Sequence, residues 1–227
     1  MSQLALPLQL ADHAVFASFH AAGNETLLAT LQRLAAGEGG AGCWLWGGVS
    51  TGKTHLLQAV CDSAGDQSIY VPLAILADAG PDILEGLARR LIVCIDDVDV
   101  VAGDADWELA LFSLFNDLQD QGNQLVVSAA AAPRECGFRL ADLESRLSKL
   151  PVFQVHALDE AERAAALQLR AGHRGIDLPD ETAVYLLRRV SRDMASLYAM
   201  LDRLDLEALR AKRRLTIPFV RDVLRSD

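Results

Sequence analysis

"GGVSTGKT", residues 47 to 54, decides the fold. The eight residues satisfy G-x-x-x-x-G-K-[ST], and they sit where that pattern has physical meaning, between the apolar run "CWLWGG" and the helical run "THLLQAVCDSA". Gly47, Gly48 and Gly52 let the backbone turn its N–H groups inward around a phosphate, with Val49, Ser50 and Thr51 completing the loop. The start of the following helix adds a favourable dipole. Lys53 has the reach for β- and γ-phosphate oxygens, and Thr54 offers a hydroxyl to Mg²⁺. A buried strand, a phosphate loop and a helix therefore follow one another.

Working outward, "LIVCIDD" (91–97) is an almost continuous β-branched run, as expected of a strand covered on both faces. An acid at the C-terminal end of such a strand can hold Mg²⁺ beside a phosphate loop, which assigns the metal to Asp96. Asp97 either orients an attacking water or caps the next element of the chain. "SIYVPLA" and "QLVVSAA" read as further strands. "DILEGLARR", "WELALFSLFNDLQDQG" and "LADLESRLSKL" read as helices, the last ended by Pro151. Strands alternating with helices predict an α/β fold with a mostly parallel sheet. Ahead of the loop, Phe16 and Phe19 precede a Gly-Asn turn, and Leu27, Leu28, Leu31 and Leu34 recur at helical spacing. From about Asp159 the strand signals end, and four helical patterns run to the last residues. Three segments are expected: 1–10 as a terminal peptide, 11–157 as the α/β domain and 158–227 as a small all-helical lid domain.

Composition narrows the function classes. With 51% hydrophobic and 23% charged residues, and no apolar run near the roughly 18 to 20 residues of a membrane span, the chain is expected to be soluble. It carries no secretory signal, so a cytoplasmic location is expected. Cys43, Cys61, Cys94 and Cys136 include no C-x-x-C pair and are expected to be reduced. The formal charge of −10 opposes independent binding to duplex DNA, which calls for clustered cations. "RAKRR" (210–214) could touch a phosphate or an acidic partner, or could be the solvated end of a helix.

The order of phosphate loop, strand ending "IDD", later strand "QLVVS", helix "LADLESRL" and helical lid resembles the AAA+ fold, and within it the nucleotide-binding module of the replication initiator DnaA. "FASFHAAGNETLLATL" is similar to that group's leading segment. Over essentially the whole chain, "QLALPL", "FASF", "DLESRL", "LRAGHRGIDLP", "RDMASLYAMLDRLD" and "LTIPFVRDVL" resemble the Hda family of DnaA-related regulators. The resemblance implies negative regulation of replication initiation, with DnaA and the sliding clamp of the replicase as partners. It implies an adenine nucleotide, ADP rather than ATP, as resident ligand, although the loop itself does not separate the two. In that family the first residues bind the clamp, which assigns Gln3, Leu4, Leu6, Pro7 and Leu8 to a short peptide that inserts apolar side chains into a greasy pocket. Arg146 matches the family's arginine finger, a cation that acts on a neighbour's γ-phosphoryl group; otherwise it is a surface arginine paired with Glu144. Finger-bearing modules commonly self-associate, so a homodimer is compatible with the resemblance. The initiator's DNA-reading helix-turn-helix has no counterpart after the lid, so sequence-specific DNA binding is not expected.

Two family positions differ. Relatives carry aspartate near Ala130, while Ser128 keeps a hydroxyl near the position called sensor 1. Relatives also carry arginine, sensor 2, near Ala195, and Arg192 lies nearly one helical turn earlier. Fewer donors around the γ-phosphate imply little intrinsic turnover. The alternative is an autonomous P-loop ATPase, DnaA-like or clamp-loader-like, working through Asp97.

Overall fold

The computed structural model describes residues 14–190 and 193–225. The terminal peptide Gln3–Leu8 and the nearby lid arginine, Arg192, lie outside the described residues.

Five strands, β1 (Gly42–Trp46), β2 (Ser68–Pro72), β3 (Ile92–Asp96), β4 (Gln124–Ala129) and β5 (Val152–Gln154), form one sheet in the order β2-β3-β4-β1-β5. Every pairing is parallel. The α/β expectation with a mostly parallel sheet is met. Alternation along each strand builds the two faces. Trp44, Val93, Ile95, Leu125 and Val127 pack on one side against α4 (Ala105–Asp120) and α5 (Ala141–Leu147). Cys43, Leu45, Ile92, Cys94 and Val126 pack on the other against α1 (Glu25–Ala35) and α2 (Lys53–Ala64). Both faces being covered, β3 and β4 are buried along their whole length and mostly apolar. All four cysteines are free thiols.

Three local readings differ from the structure. The strand expected over "SIYVPLA" stops at Pro72, and Leu73–Leu76 form a short helix, α3. Proline has no N–H for the ladder, so the strand ends there. "DILEGLARR" forms two short 3-10 turns, Pro81–Leu84 and Leu87–Arg89, parted by Gly86 at φ +75°. That left-handed glycine breaks the helix the sequence pattern suggested. β5 has no strand signal of its own. Its three residues are recruited by pairing with β1, flanked by bonds from the Trp44 N–H to the Pro151 carbonyl (2.8 Å) and from the Val155 N–H to the Trp46 carbonyl (2.7 Å).

After β5, α6 (Glu160–His173), α7 (Asp180–Arg189), α8 (Met194–Ala211) and α9 (Ile217–Leu224) enclose a separate core around Leu167, Leu186, Leu201 and Val220. "DEAE" caps α6 reciprocally: Asp159 accepts from the Glu162 N–H, and Glu162 accepts from the Asp159 N–H, each at 2.8 Å. Arg174 bonds Asp202 and reaches Asp205 at 2.9 Å, and Arg170 lies over the Tyr198 ring, so α6 is tied to α8. The "RAKRR" cluster includes the end of α8, where Arg210 pairs with Glu207 and Arg213 stacks on Phe219.

Glu108, a buried acid on α4, organises the connections that follow β3 and β4. Its carboxylate accepts from the N–H groups of Gly103 (2.7 Å), Arg139 (3.0 Å) and Leu140 (2.6 Å), fixing the backbone that leads into α5. Burial alone would raise this carboxyl. The three N–H groups and the Arg139 charge outweigh burial and hold it below the ordinary value. Its contribution to stability is therefore complete above the unfolded glutamate value of about 4.3 and is lost as pH falls through the lower folded value. Glu108→Gln is expected to remove that component of acid sensitivity in urea unfolding. Glu108→Ala is expected to cost about 2 to 3 kcal/mol at neutral pH, because three part-buried donors lose a charged partner.

Candidate functional site

The phosphate loop leaves β1 at Trp46 and enters α2 at Lys53. Its curvature rests on left-handed backbone at Ser50 (φ +60°) and Gly52 (φ +100°). Side chains are excluded at two of its glycines. A Cβ on Gly47 would stand 2.7 Å from the Val155 carbonyl oxygen, and one on Gly52 would stand 2.8 Å from the Phe19 ring. Lys53 Nζ donates to the carbonyls of Gly47 (2.8 Å) and Gly48 (3.0 Å), which places the ammonium inside the loop. Thr51 Oγ1 donates to the Gly48 carbonyl at 3.1 Å; Gly48 and Val49 are exposed at the tip. Thr54 is exposed on the first turn of α2. A cradle that admits no Cβ, a central ammonium and the free N–H groups of a helix start suit a nucleotide's phosphates.

Phe16–Ser18 form a 3-10 turn beside this loop, and α6 of the lid lies against it. His55, next to Thr54, bonds the Val15 carbonyl through Nε2 at 2.9 Å and meets the Phe19 ring at 5.5 Å. Burial holds its imidazole below the usual value; the nearby Arg170 charge adds to this and the Val15 carbonyl opposes it. The leading segment thus joins the loop helix to the lid.

Asp96 ends β3 and is 1% exposed. Both of its oxygens accept hydrogen bonds: Oδ1 from the Ser128 hydroxyl, and Oδ2 from the Tyr70 hydroxyl at 2.8 Å. Ser128, on β4, also accepts the Asp97 N–H at 3.0 Å. Asp97 adopts φ +55°, a left-handed conformation that aspartate tolerates. Its half-buried carboxyl is raised by burial and by the Asp96 charge, with Lys53 pulling the other way. Two adjacent carboxylates and a lysine therefore share one end of the sheet. Among the described residues no group of three or more His, Cys, Asp or Glu is placed to hold a metal. The donor set of Thr54 and Asp96 fits Mg²⁺, which usually takes one or two protein ligands and completes its shell with phosphate oxygens and water.

Arg146 lies apart from these residues on α5. Its guanidinium is exposed, sits 5.9 Å from the Phe112 ring centre, and makes no ion pair with Glu144 or another acid among the described residues. Ala130 and Ala195 are both exposed.

Sequence reasoning missed Tyr70 and Glu108. Tyr70 had a faint signal, since a tyrosine inside a parallel strand must place its hydroxyl on a partner. Glu108 shares the helical face of Leu111 and Phe115, an acid where the pattern calls for an apolar residue.

Residues 159–224 match the family model described as the Hda lid domain. The fold is similar to domain III of the replication initiation protein DnaA from Thermotoga maritima, with 22% identity and a TM-score of 0.78 over 95% of this chain and 97% of that one. It is also similar to DnaA bound to AMPPCP and single-stranded DNA (21% identity, TM-score 0.70, 90% of this chain and 69% of that one). AMPPCP-bound DnaA from Aquifex aeolicus gives 19% identity and a TM-score of 0.68, over 89% of this chain and 68% of that one. These likenesses establish an AAA+ fold with an Hda-type lid.

Proposed function

We propose that this chain, an AAA+ protein related to Hda and DnaA, is a nucleotide-bound adaptor that represses chromosomal replication initiation. It docks on the DNA-loaded sliding clamp through Gln3, Leu4, Leu6, Pro7 and Leu8. It holds an adenine nucleotide, ADP in preference to ATP, and offers Arg146 to ATP-loaded DnaA, whose ATP is then hydrolysed.

In this reading the N–H groups of residues 47 to 54 and Lys53 bind the phosphates. Mg²⁺ held by Thr54 and Asp96 supplies charge neutralisation. Ser128, whose single hydrogen goes to Asp96, acts on the nucleotide through that carboxylate. With alanine at positions 130 and 195, few donors remain for a γ-phosphate, so binding outlasts catalysis in the isolated chain. The observation that carries the proposal is the exposed guanidinium of Arg146, which pairs with no acid among the described residues and lies on a helix whose approach Glu108 fixes. Such a group can complete another subunit's site at little reorganisation cost.

The clamp contact is tested by removing residues 1–8. Burying three leucines at about 1.5 kcal/mol or more each predicts at least roughly a hundredfold loss of clamp capture on truncation. Clamp-dependent stimulation of DnaA should disappear with it, while nucleotide affinity stays unchanged. A truncated chain that still captures the clamp and still stimulates DnaA would overturn the proposal.

Asp97 supports a second reading, autonomous ATP hydrolysis, because a carboxyl pushed toward its neutral form is a better base near neutral pH. Steady-state phosphate release by the isolated chain separates the two. Turnover abolished by Lys53→Ala would favour the second.

A further inference from the structure

We propose that Tyr70 is a positioning residue for the Mg²⁺-binding carboxylate, which it and Ser128 hold from the two flanking strands. This rests on the reading of residues 47 to 54 with Asp96 as a Mg²⁺-nucleotide site.

The sheet register brings the three groups together. β2 and β4 flank β3, and Tyr70 pairs with Cys94, two residues before Asp96. Side chains two apart on a strand share a face, so Tyr70 lies diagonally across from Asp96. Cys94 also pairs with Val126, two residues before Ser128. All three polar side chains therefore emerge on the face covered by α2, the helix that starts at the phosphate loop. One hydroxyl donates to each carboxylate oxygen. Each donor has one hydrogen, and each hydrogen goes to Asp96.

Two fixed donors hold the plane of a buried carboxylate in one orientation and leave the second lone pair of each oxygen for other contacts. An outer partner of this kind sets the direction and basicity of a metal ligand, and losing one typically weakens metal binding about 10- to 100-fold. The same bonds do not touch the loop N–H groups or Lys53, which bind phosphate without metal. Tyr70 should thus act on the metal-dependent part of nucleotide affinity and spare the rest.

The experiment uses the full chain and a fluorescent ADP analogue, titrated in EDTA and across a Mg²⁺ series. Tyr70→Phe keeps the ring and removes the hydroxyl. The expected result is a rise of about tenfold or more in the Mg²⁺ concentration that gives half-maximal gain in affinity, with affinity in EDTA unchanged. Ser128→Ala should shift the midpoint in the same direction. An unshifted midpoint in Tyr70→Phe overturns the proposal. An equal loss with and without Mg²⁺ also overturns it, because that marks a packing role only. If the unmutated chain binds the nucleotide equally well with and without Mg²⁺, the underlying reading fails and the proposal with it. That outcome is distinguishable because it appears before any substitution.

Discussion

Arg146→Ala is expected to cut the adaptor-stimulated rate of ATP hydrolysis by DnaA by about 10³-fold or more, the scale on which an arginine supplied in trans acts. The loss should be confined to that step. The side chain is exposed on α5 and its one aromatic contact is with Phe112, so removing it should leave folding, nucleotide affinity and clamp capture near those of the parent. Arg146→Lys should recover little. A lysine keeps the charge but not the planar fork that meets two phosphate oxygens at once. Phosphate release in a mixture of ATP-loaded DnaA, loaded clamp and adaptor measures the effect, and a parent-like rate for Arg146→Ala would remove the central element of the proposed function.

Gly42→Ala should be as severe for folding as Arg146→Ala is for activity. Gly42 opens β1 at φ +125°, and a Cβ there would stand 1.8 Å from the Leu125 carbonyl oxygen of the adjoining strand. No rotamer relieves an overlap with a backbone atom. The strand must move, and Cys43, Trp44 and Leu45 behind it are all fully buried. A loss above about 4 kcal/mol is expected, in the range reserved for backbone strain and core disruption. Set against a total of about 5 to 15 kcal/mol, most molecules of the variant would be unfolded or aggregated under mild denaturant. Urea unfolding followed by tryptophan fluorescence, with Trp44 at 0% exposure as reporter, checks this.

How much of the molecule could be read from its sequence depends on how local each signal is. The phosphate loop was legible because glycine spacing, the lysine and the flanking periodicity occur within about twenty residues. Strands β3 and β4 were legible because burial on both faces writes an apolar run, residues 92–95 in one and 125–127 in the other. β5 was not, since three residues cannot display an alternation and their conformation comes from β1. Gly42 has no local signal that sets it apart, because the demand on it comes from Leu125, over eighty residues away. Tyr70 belongs to the same class: it is an unremarked strand residue until the register places it, with Ser128, on Asp96. Arg146 was readable as to residue type, whereas its lack of an acidic partner could be seen only once α4 and α5 were placed.

The two outer strands of the sheet are poor templates for annealing to another polypeptide. β5 offers only three residues, and β2 ends in a proline that has no hydrogen to donate. A partner meeting either edge of the sheet therefore finds few backbone groups to pair with, and a contact made instead by side chains on helices and loops can be released without peeling backbone from backbone.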